Sequence, residues 1–453
     1  MPKWKKESEK SKESIIVNKK MKNNLIALGA FFSIVGNAQT IKNTESLSPF
    51  AESIKNQNKV TQILFIGDSH TQAGNITDYL RAQFQTHYGN AGRGLLFPYP
   101  VGNTNGANDF SAISSTKWDV FRLVHEQDIY PQLGALGFVI GNQSPAMIEI
   151  TLDNDTFNHV TIFSDPKMIG KEIAFFTAPL SLNHFVRKST QRVNYQIQEG
   201  DTYPELASMF NTTTTQLKAL NGASVMNPKP GAWIKADQVS VHYNTDFENS
   251  TQSILKTNLK EEITPIQLPL LTQKMLLKTY ANDNYFYGFH FSNGQNGVIF
   301  NSVGVNGATY ADFLKHPIQF RQLKSLHPDL LVIALGTNEG VSKITEEEFK
   351  KNAMDLIRLW KSSNKNLPIL LITPTDNTMN ATKTKLVAQW IVDIAQENNI
   401  AYLHLYEEMG GAGYFKKALA RKVANKDGVH LLKSGYEEQA QVIWNAFQNY
   451  LKK

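Results

Sequence analysis

Two short segments near opposite ends of the chain hold residue types that act together in acyl transfer. Gly67-Asp68-Ser69 puts a serine on a turn, and Asp427-Gly428-Val429-His430 puts an acid and an imidazole three positions apart. A neutral imidazole can take the serine proton as the hydroxyl attacks an ester carbonyl. A carboxylate on the other ring nitrogen fixes the tautomer and stabilises the imidazolium that forms. The spacing lets one loop present both Asp427 and His430. The tetrahedral intermediate also needs donors for its oxyanion. Gly307, within 303–310 (VGVNGATY), offers a bare backbone N–H; Asn338, within 335–339 (LGTNE), offers a side-chain amide; the N–H of Ser69 is a third donor. Taken singly each residue is ordinary, since Asp427 could cap a turn, Asn338 could end a strand and Gly307 could serve a tight turn. Together, and in order along the chain, they point to a serine hydrolase with Ser69 as nucleophile, His430 as base and Asp427 as its orienting acid. His70 is read as a packing or substrate-contacting residue, because a side chain adjacent to Ser69 points away from its hydroxyl. Cysteine is absent and the other histidines show no HxxxH or similar ligand spacing, so neither a metal nor a cofactor is expected.

Such residues need rigid elements behind them. An apolar run at 62–66 (QILFI) reads as a buried parallel strand leading into the Ser69 turn, and 76–84 follows with helical spacing. A second strand is expected at 298–301, a glycine-bearing turn at 304–307 and the start of a helix at 310–314. A third strand at 330–335 ends at Asn338. Thr345 and Glu348 have capping-box spacing, with Phe349, Ala353, Leu356, Ile357 and Trp360 on one helical face. Strands at 369–372 and 401–405 flank an amphipathic helix at 386–395. A final helix opens with a Ser434/Glu437 box and turns Tyr436, Ala440, Ile443 and Phe447 inward. Strands alternating with helices in this way predict a parallel sheet covered on both faces, with ligands bound at the carboxyl ends of its strands.

Residues 110–297 break that rhythm with alternating or continuously apolar stretches such as 146–152, 159–164 and 172–177, and predict a β-rich insertion between core parts at 60–109 and 298–453. Within it, 194–236 differs again, with two short helical patterns between two short strands. Of the net charge of +6, the eight lysines and three glutamates of residues 1–38 supply +5. No basic stripe remains for a nucleic-acid backbone, and nucleic acid is excluded as a partner. That leader reads as a secretory signal over 21–38: a basic start at Met21-Lys22, an apolar run at 25–35 too short to span a bilayer, and small residues before cleavage after Ala38. An uncleaved anchor is the alternative reading; after cleavage no stable membrane span is expected, and the protein is periplasmic or secreted.

The set formed by Ser69 in GDS, Gly307, Asn338 in GxN and the Asp427/His430 pair resembles the SGNH (GDSL-like) hydrolases. That resemblance implies a flavodoxin-like α/β core, and it implies Ser69, Gly307 and Asn338 as oxyanion donors. One departure is Glu339, where many relatives have Asp. Within the family, 67–71 (GDSHT), 89–94 (GNAGRG) and GTNE are similar to bacterial peptidoglycan O-acetylesterases, which carry a β-sandwich at the place of 110–297; acetyltransferases of the same cell-wall system share much of this pattern. Residues 194–236 resemble a LysM domain through Tyr195-Gln196-Ile197, Leu206-Ala207, Phe210, Leu217, Leu220-Asn221 and Pro230-Gly231. This implies a βααβ module that binds N-acetylglucosamine-containing glycan through a first loop at 200–202 (Gly200, Asp201 and Thr202) and a second loop at 227–231, which includes Pro230 and Gly231. The combined expectation is an exported esterase acting on O-acetylated peptidoglycan. The alternatives are an esterase for another polysaccharide, such as acetylxylan, and an inactive cell-wall glycan-binding protein.

Overall fold

The computed structural model describes residues 39–124, 132–210, 212, 214–222 and 229–452. The expected signal at 21–38 lies outside these residues, as do 227 and 228 of the second LysM loop. Five parallel strands form the core sheet: β1 (Val60–Gly67), β2 (Gly297–Gly304), β3 (Leu330–Ala334), β4 (Ile369–Ile372) and β5 (Ala401–Leu403). Their order is β2-β1-β3-β4-β5. This is the flavodoxin-like order, in which the direction of strand addition reverses beside β1 and opens a crevice at the carboxyl ends. Register is set from Val60 opposite Gly297 to Gly67 opposite Gly304, and from Ile63 opposite Leu330 to Gly67 opposite Ala334. The turns after β1, β2 and β3 therefore leave the sheet side by side.

Alternation along β1 explains why both faces are covered. Ile63 and Phe65 pack with Leu80 and Phe84 of α1 (Asn75–Tyr88) and with Ile443 and Phe447 of α4 (Lys433–Leu451). Leu64 and Ile66 join the other cluster, with Phe349 and Trp360 of α2 (Glu346–Ser363) and Val387 and Ile391 of α3 (Ala381–Glu397). The five residues expected on the inner face of α2 are all buried, and Thr345 caps that helix, its hydroxyl accepting the Glu348 N–H at 3.2 Å.

Two sequence expectations need correction. Residues 310–314 do not begin a long helix: one 3-10 turn, Asp312–Leu314, precedes a separate helix at Pro317–Lys324, because His316 sits before a proline in an extended conformation. The last helix has no Ser434 cap. Its N-cap is Leu432, whose N–H is held by the Val423 carbonyl at 2.9 Å, so the helix starts at Lys433 with Ser434 already in its first turn.

Between β1 and β2 lie two antiparallel sheets. One orders its strands as Leu255–Asn258, Glu172–Thr177, Lys274–Thr279, Met147–Leu152, Phe110–Ser114; the other as Ile263–Thr272, Phe157–Ser164, Asn284–Ser292, Phe138–Asn142, Asp119–Arg122. Ile148, Ile150, Phe175 and Leu277 of the first share one core with Phe138, Ile162, Phe286 and Phe289 of the second, so the sheets pack face to face. Gly94–Leu96, from before the insertion, pairs with Asn284–Ser292 and fastens the sandwich to the α/β core. A two-stranded ribbon, Val186–Gln196 against Trp233–Tyr243, rises from this body in unbroken register. It carries helices Tyr203–Met209 and Thr214–Asn221 around a separate core of Ile197, Tyr203, Leu206, Phe210, Leu217, Ile234 and Ala236.

Gly304 is where β2 meets the turn that carries Ser69. A Cβ there would lie 2.2 Å from the Gln72 nitrogen and 2.6 Å from the Thr71 carbonyl carbon, both backbone atoms that cannot rotate away. Gly304→Ala is therefore expected to lower the unfolding free energy by about 1–3 kcal/mol, read as an earlier midpoint in denaturant.

Candidate active site

Ser69 opens a single helical turn, Ser69–Gln72, directly after β1. Asp68 caps that turn: its Oδ1 accepts the His70 N–H at 3.0 Å, and its carbonyl accepts those of Thr71 and Gln72 at 3.1 and 2.9 Å. Every N–H of the turn is thereby engaged except that of Ser69, which has no acceptor among the described residues. The Ser69 hydroxyl lies 2.9 Å from His430 Nε2, and His430 Nδ1 lies 2.8 Å from Asp427 Oδ2. A carboxylate only accepts, so Nδ1 carries the proton and Nε2 is left to receive that of the hydroxyl.

The spacing of Asp427 and His430 explains its own geometry. Asp427 Oδ1 accepts the N–H groups of Val429 and His430, both at 2.9 Å, which closes a tight turn and aims Oδ2 at the ring. The loop is tied down by a bridge between Ala424 and Leu431 and by the Thr378 N–H on the Gly428 carbonyl. Partial burial pushes the Asp427 carboxyl up, but the N–H groups of His430 and Val429 and the ring bond outweigh it and hold the group below the usual carboxylate range. Both side chains remain 41% exposed, so the site is open rather than a sealed pocket. His70, by contrast, is buried; its ring stacks on His430 at 5.4 Å and meets Tyr436 edge-on at 5.5 Å. Burial lowers its basicity, and a neutral ring backs His430.

The turn after β2 is accounted for donor by donor. Val305 N–H goes to Gly67 O, Asn306 N–H to Gln72 Oε1, Ala308 N–H to Val305 O, Thr309 N–H to Asp312 Oδ2 and Tyr310 N–H to Glu339 Oε1. Among the described residues only the Gly307 N–H in this stretch has no acceptor, and it sits at φ 85°, a backbone shape that glycine adopts without strain. Asn338, in the turn after β3, gives one amide hydrogen to Ala308 O at 2.8 Å and keeps the second. Three spare donors thus follow three neighbouring strands, and a serine–imidazole–carboxylate chain stands at the same edge. The arrangement can perform acyl transfer.

Residues 279–438 match the family model of the GDSL-like Lipase/Acylhydrolase family, and residues 195–237 match that of the LysM domain. This chain carries a GDSL-type acylhydrolase domain. The match begins at residue 279, near the end of the insertion, and leaves out Ser69, which lies on the other side of the sandwich in sequence. A solved structure of a peptidoglycan O-acetylesterase is similar over 92% of this chain and 98% of that chain, at 18% identity and a TM-score of 0.61. At that identity the likeness is one of fold, and it spans α/β core and sandwich together. A lipase/acylhydrolase from Enterococcus faecalis covers 34% of this chain and 77% of its own at 21% identity and a TM-score of 0.29. A GDSL-like lipase from Bacteroides thetaiotaomicron covers 34% and 76% at 23% identity and 0.27. No curated protein matches the chain.

In the LysM domain, several of the residues expected to touch glycan are used by the domain itself. Asp201 Oδ2 accepts the Tyr195 hydroxyl at 3.0 Å and the Gln198 N–H at 2.7 Å, while Thr202 and Glu205 cap the first helix reciprocally. Gly200 turns the chain at φ 91°, and Gly231 at φ 83° gives its N–H to Ile197 O. Pro230 and Gly231 are exposed, and two residues further Trp233 presents its indole to solvent at 67% exposure.

Sequence reasoning overlooked three residues that build the acylhydrolase site. Gln72 receives the Asn306 N–H and donates to Asn105, joining the turns after β1 and β2; no spacing signal marks either residue. Glu339 was legible as an acid beside Asn338 but not as the partner of Tyr310. Among the described residues no group of three or more His, Asp or Glu could hold a metal ion, and no helix is long and apolar enough to cross a membrane.

Proposed function

We propose that this chain is an exported esterase that removes O-acetyl groups from peptidoglycan glycan strands, with its LysM domain keeping it on the polymer. The hydrogen-bonded path from Asp427 through His430 to Ser69 is the observation that carries this reading. Ser69 Oγ attacks the acetyl carbonyl as His430 Nε2 takes its proton; the oxyanion is received by the spare donors of Ser69, Gly307 and Asn338. Collapse expels the sugar oxygen, which recovers the proton from His430, and leaves an acetyl-enzyme. Water, deprotonated by the same imidazole, then releases acetate and restores the serine.

Three features favour peptidoglycan as the substrate. The domain match to LysM supplies a glycan-binding module, the fold likeness to a peptidoglycan O-acetylesterase extends through the sandwich, and the half-exposed triad is open to a polymer that could not enter a closed pocket. Holding enzyme and glycan together raises the local ester concentration without any new contact at the scissile bond. The test is acetate release by the chain from residue 39 onward, offered O-acetylated sacculi and acetylated xylan in parallel. Release from sacculi at least about tenfold above that from xylan is expected. Preference for xylan would reassign the substrate, and firm attachment to sacculi without acetate release would make the protein a binding module.

A further inference from the structure

Asn338 and Glu339 grip the same short turn from one side. Asn338 holds Ala308 O and Glu339 Oε1 holds the Tyr310 N–H, each at 2.8 Å, so adjacent residues fix the stretch of chain that directly follows the spare Gly307 donor. Glu339 is 1% exposed. Its second oxygen, the Tyr310 hydroxyl and Asp68 Oδ2 are all buried with no hydrogen-bond partner among the described residues. Two carboxyl groups and a phenol, each with one such oxygen, therefore lie in the turns that carry the spare donors of Ser69, Gly307 and Asn338, or beside them.

The charges facing Glu339 are acidic. Asp68 comes from the Ser69 turn and Asp312 from the 3-10 turn, where Lys315 is bonded to Asp312 instead of Glu339. Helix α3 packs on this side through Thr384, Val387 and Ile391, none of them charged. Burial without a cation pushes the Glu339 carboxyl up to about 7, the Tyr310 N–H pulling the other way and Asp68 and Asp312 adding to the rise.

We infer that Glu339 is a positioning residue that works as the neutral acid, its Oε1 bracing the oxyanion turn while its lack of charge spares the developing oxyanion a buried anion. The inference rests on the acyl-transfer reading of the site. It has a direct pH consequence. Below about 7 the acid is neutral and the turn is both held and uncharged; as pH rises through that value the carboxylate forms, its field opposes the oxyanion, and turnover falls.

The experiment measures kcat and KM on 4-nitrophenyl acetate between about pH 5 and 9 for the chain from residue 39 onward and for Glu339→Gln and Glu339→Ala, with thermal unfolding of each. Glu339→Gln keeps the acceptor and cannot ionise. It is expected to retain kcat within about threefold at low pH and to lose the alkaline fall. Glu339→Ala releases the turn and is expected to drop kcat about tenfold or more at every pH with KM little changed. An alkaline fall in Glu339→Gln equal to that of the parent would overturn the inference, as would an Ala variant with parental kcat. If Glu339→Ala does not fold, the pH profile of Glu339→Gln alone decides. A parent chain that cleaves no ester at all would instead remove the acyl-transfer reading, and this inference with it.

Discussion

Ser69→Ala is expected to reduce acetate release by about 10⁴-fold or more while leaving attachment to sacculi and thermal stability unchanged. The effect is large because covalent catalysis has no substitute here: the spare donors and the bound imidazole can still polarise the carbonyl, but among the described residues no other hydroxyl is held against His430 Nε2. Stability should hardly move, since the Ser69 side chain makes one hydrogen bond, to a partly exposed ring. Combining Ser69→Ala with His430→Ala should cost little beyond either alone, because the two act as one unit. Measured by acetate assay on sacculi beside a pull-down of the same material, a variant with more than about 1% of parental turnover would place the nucleophile elsewhere.

The second large effect is expected at Asn338. Asn338→Ala should lower kcat by about 10²–10³-fold with little change in KM. The loss has two parts, one free amide hydrogen and the bond that fixes Ala308 O. Asn338→Asp separates size from donor chemistry: a carboxylate would set two acceptors against one another at the Ala308 carbonyl and move the Gly307 turn. It should therefore be at least as damaging as alanine, and steady-state kinetics on a soluble acetyl ester will show whether it is. An Asp variant with near-parental kcat would exclude Asn338 as a donor.

Much of this architecture is written locally. The run 63–66 (ILFI) reads as a buried strand because both its faces are apolar, and in the fold Ile63 and Phe65 go to one core while Leu64 and Ile66 go to the other. The Asp427 carboxylate closes its own turn and then reaches the ring, so four consecutive residues, 427–430, hold the acid and base together. What was not legible depends on contacts between distant segments. In sequence Glu339 is only a departure from the family pattern beside Asn338; its task as an acceptor is set by Tyr310, 29 positions earlier, which donates to it. Gln72 and Asn105 carry no periodic or motif signal, and their use follows from β1 and β2 being neighbours. The misplaced Ser434 cap has the same origin: serine and glutamate at the right spacing favour a helix start, but the bridge that anchors Leu431 sets the cap at Leu432, ahead of Ser434.

The ribbon that bears the LysM domain has a consequence for how such a chain can change. Val186 and Tyr243 are paired neighbours at its base, about 5 Å apart, so the polypeptide leaves and re-enters the sandwich at almost one point. The entropy of closing a loop between two such ends grows only slowly with its length. The tip of the ribbon, on the order of 35 Å away, can therefore gain, lose or exchange a folded cargo while the strands that carry Ser69, Gly307 and Asn338 keep their register. The attachment point behaves as a socket, and targeting and catalysis are free to evolve on separate schedules within one uninterrupted gene product.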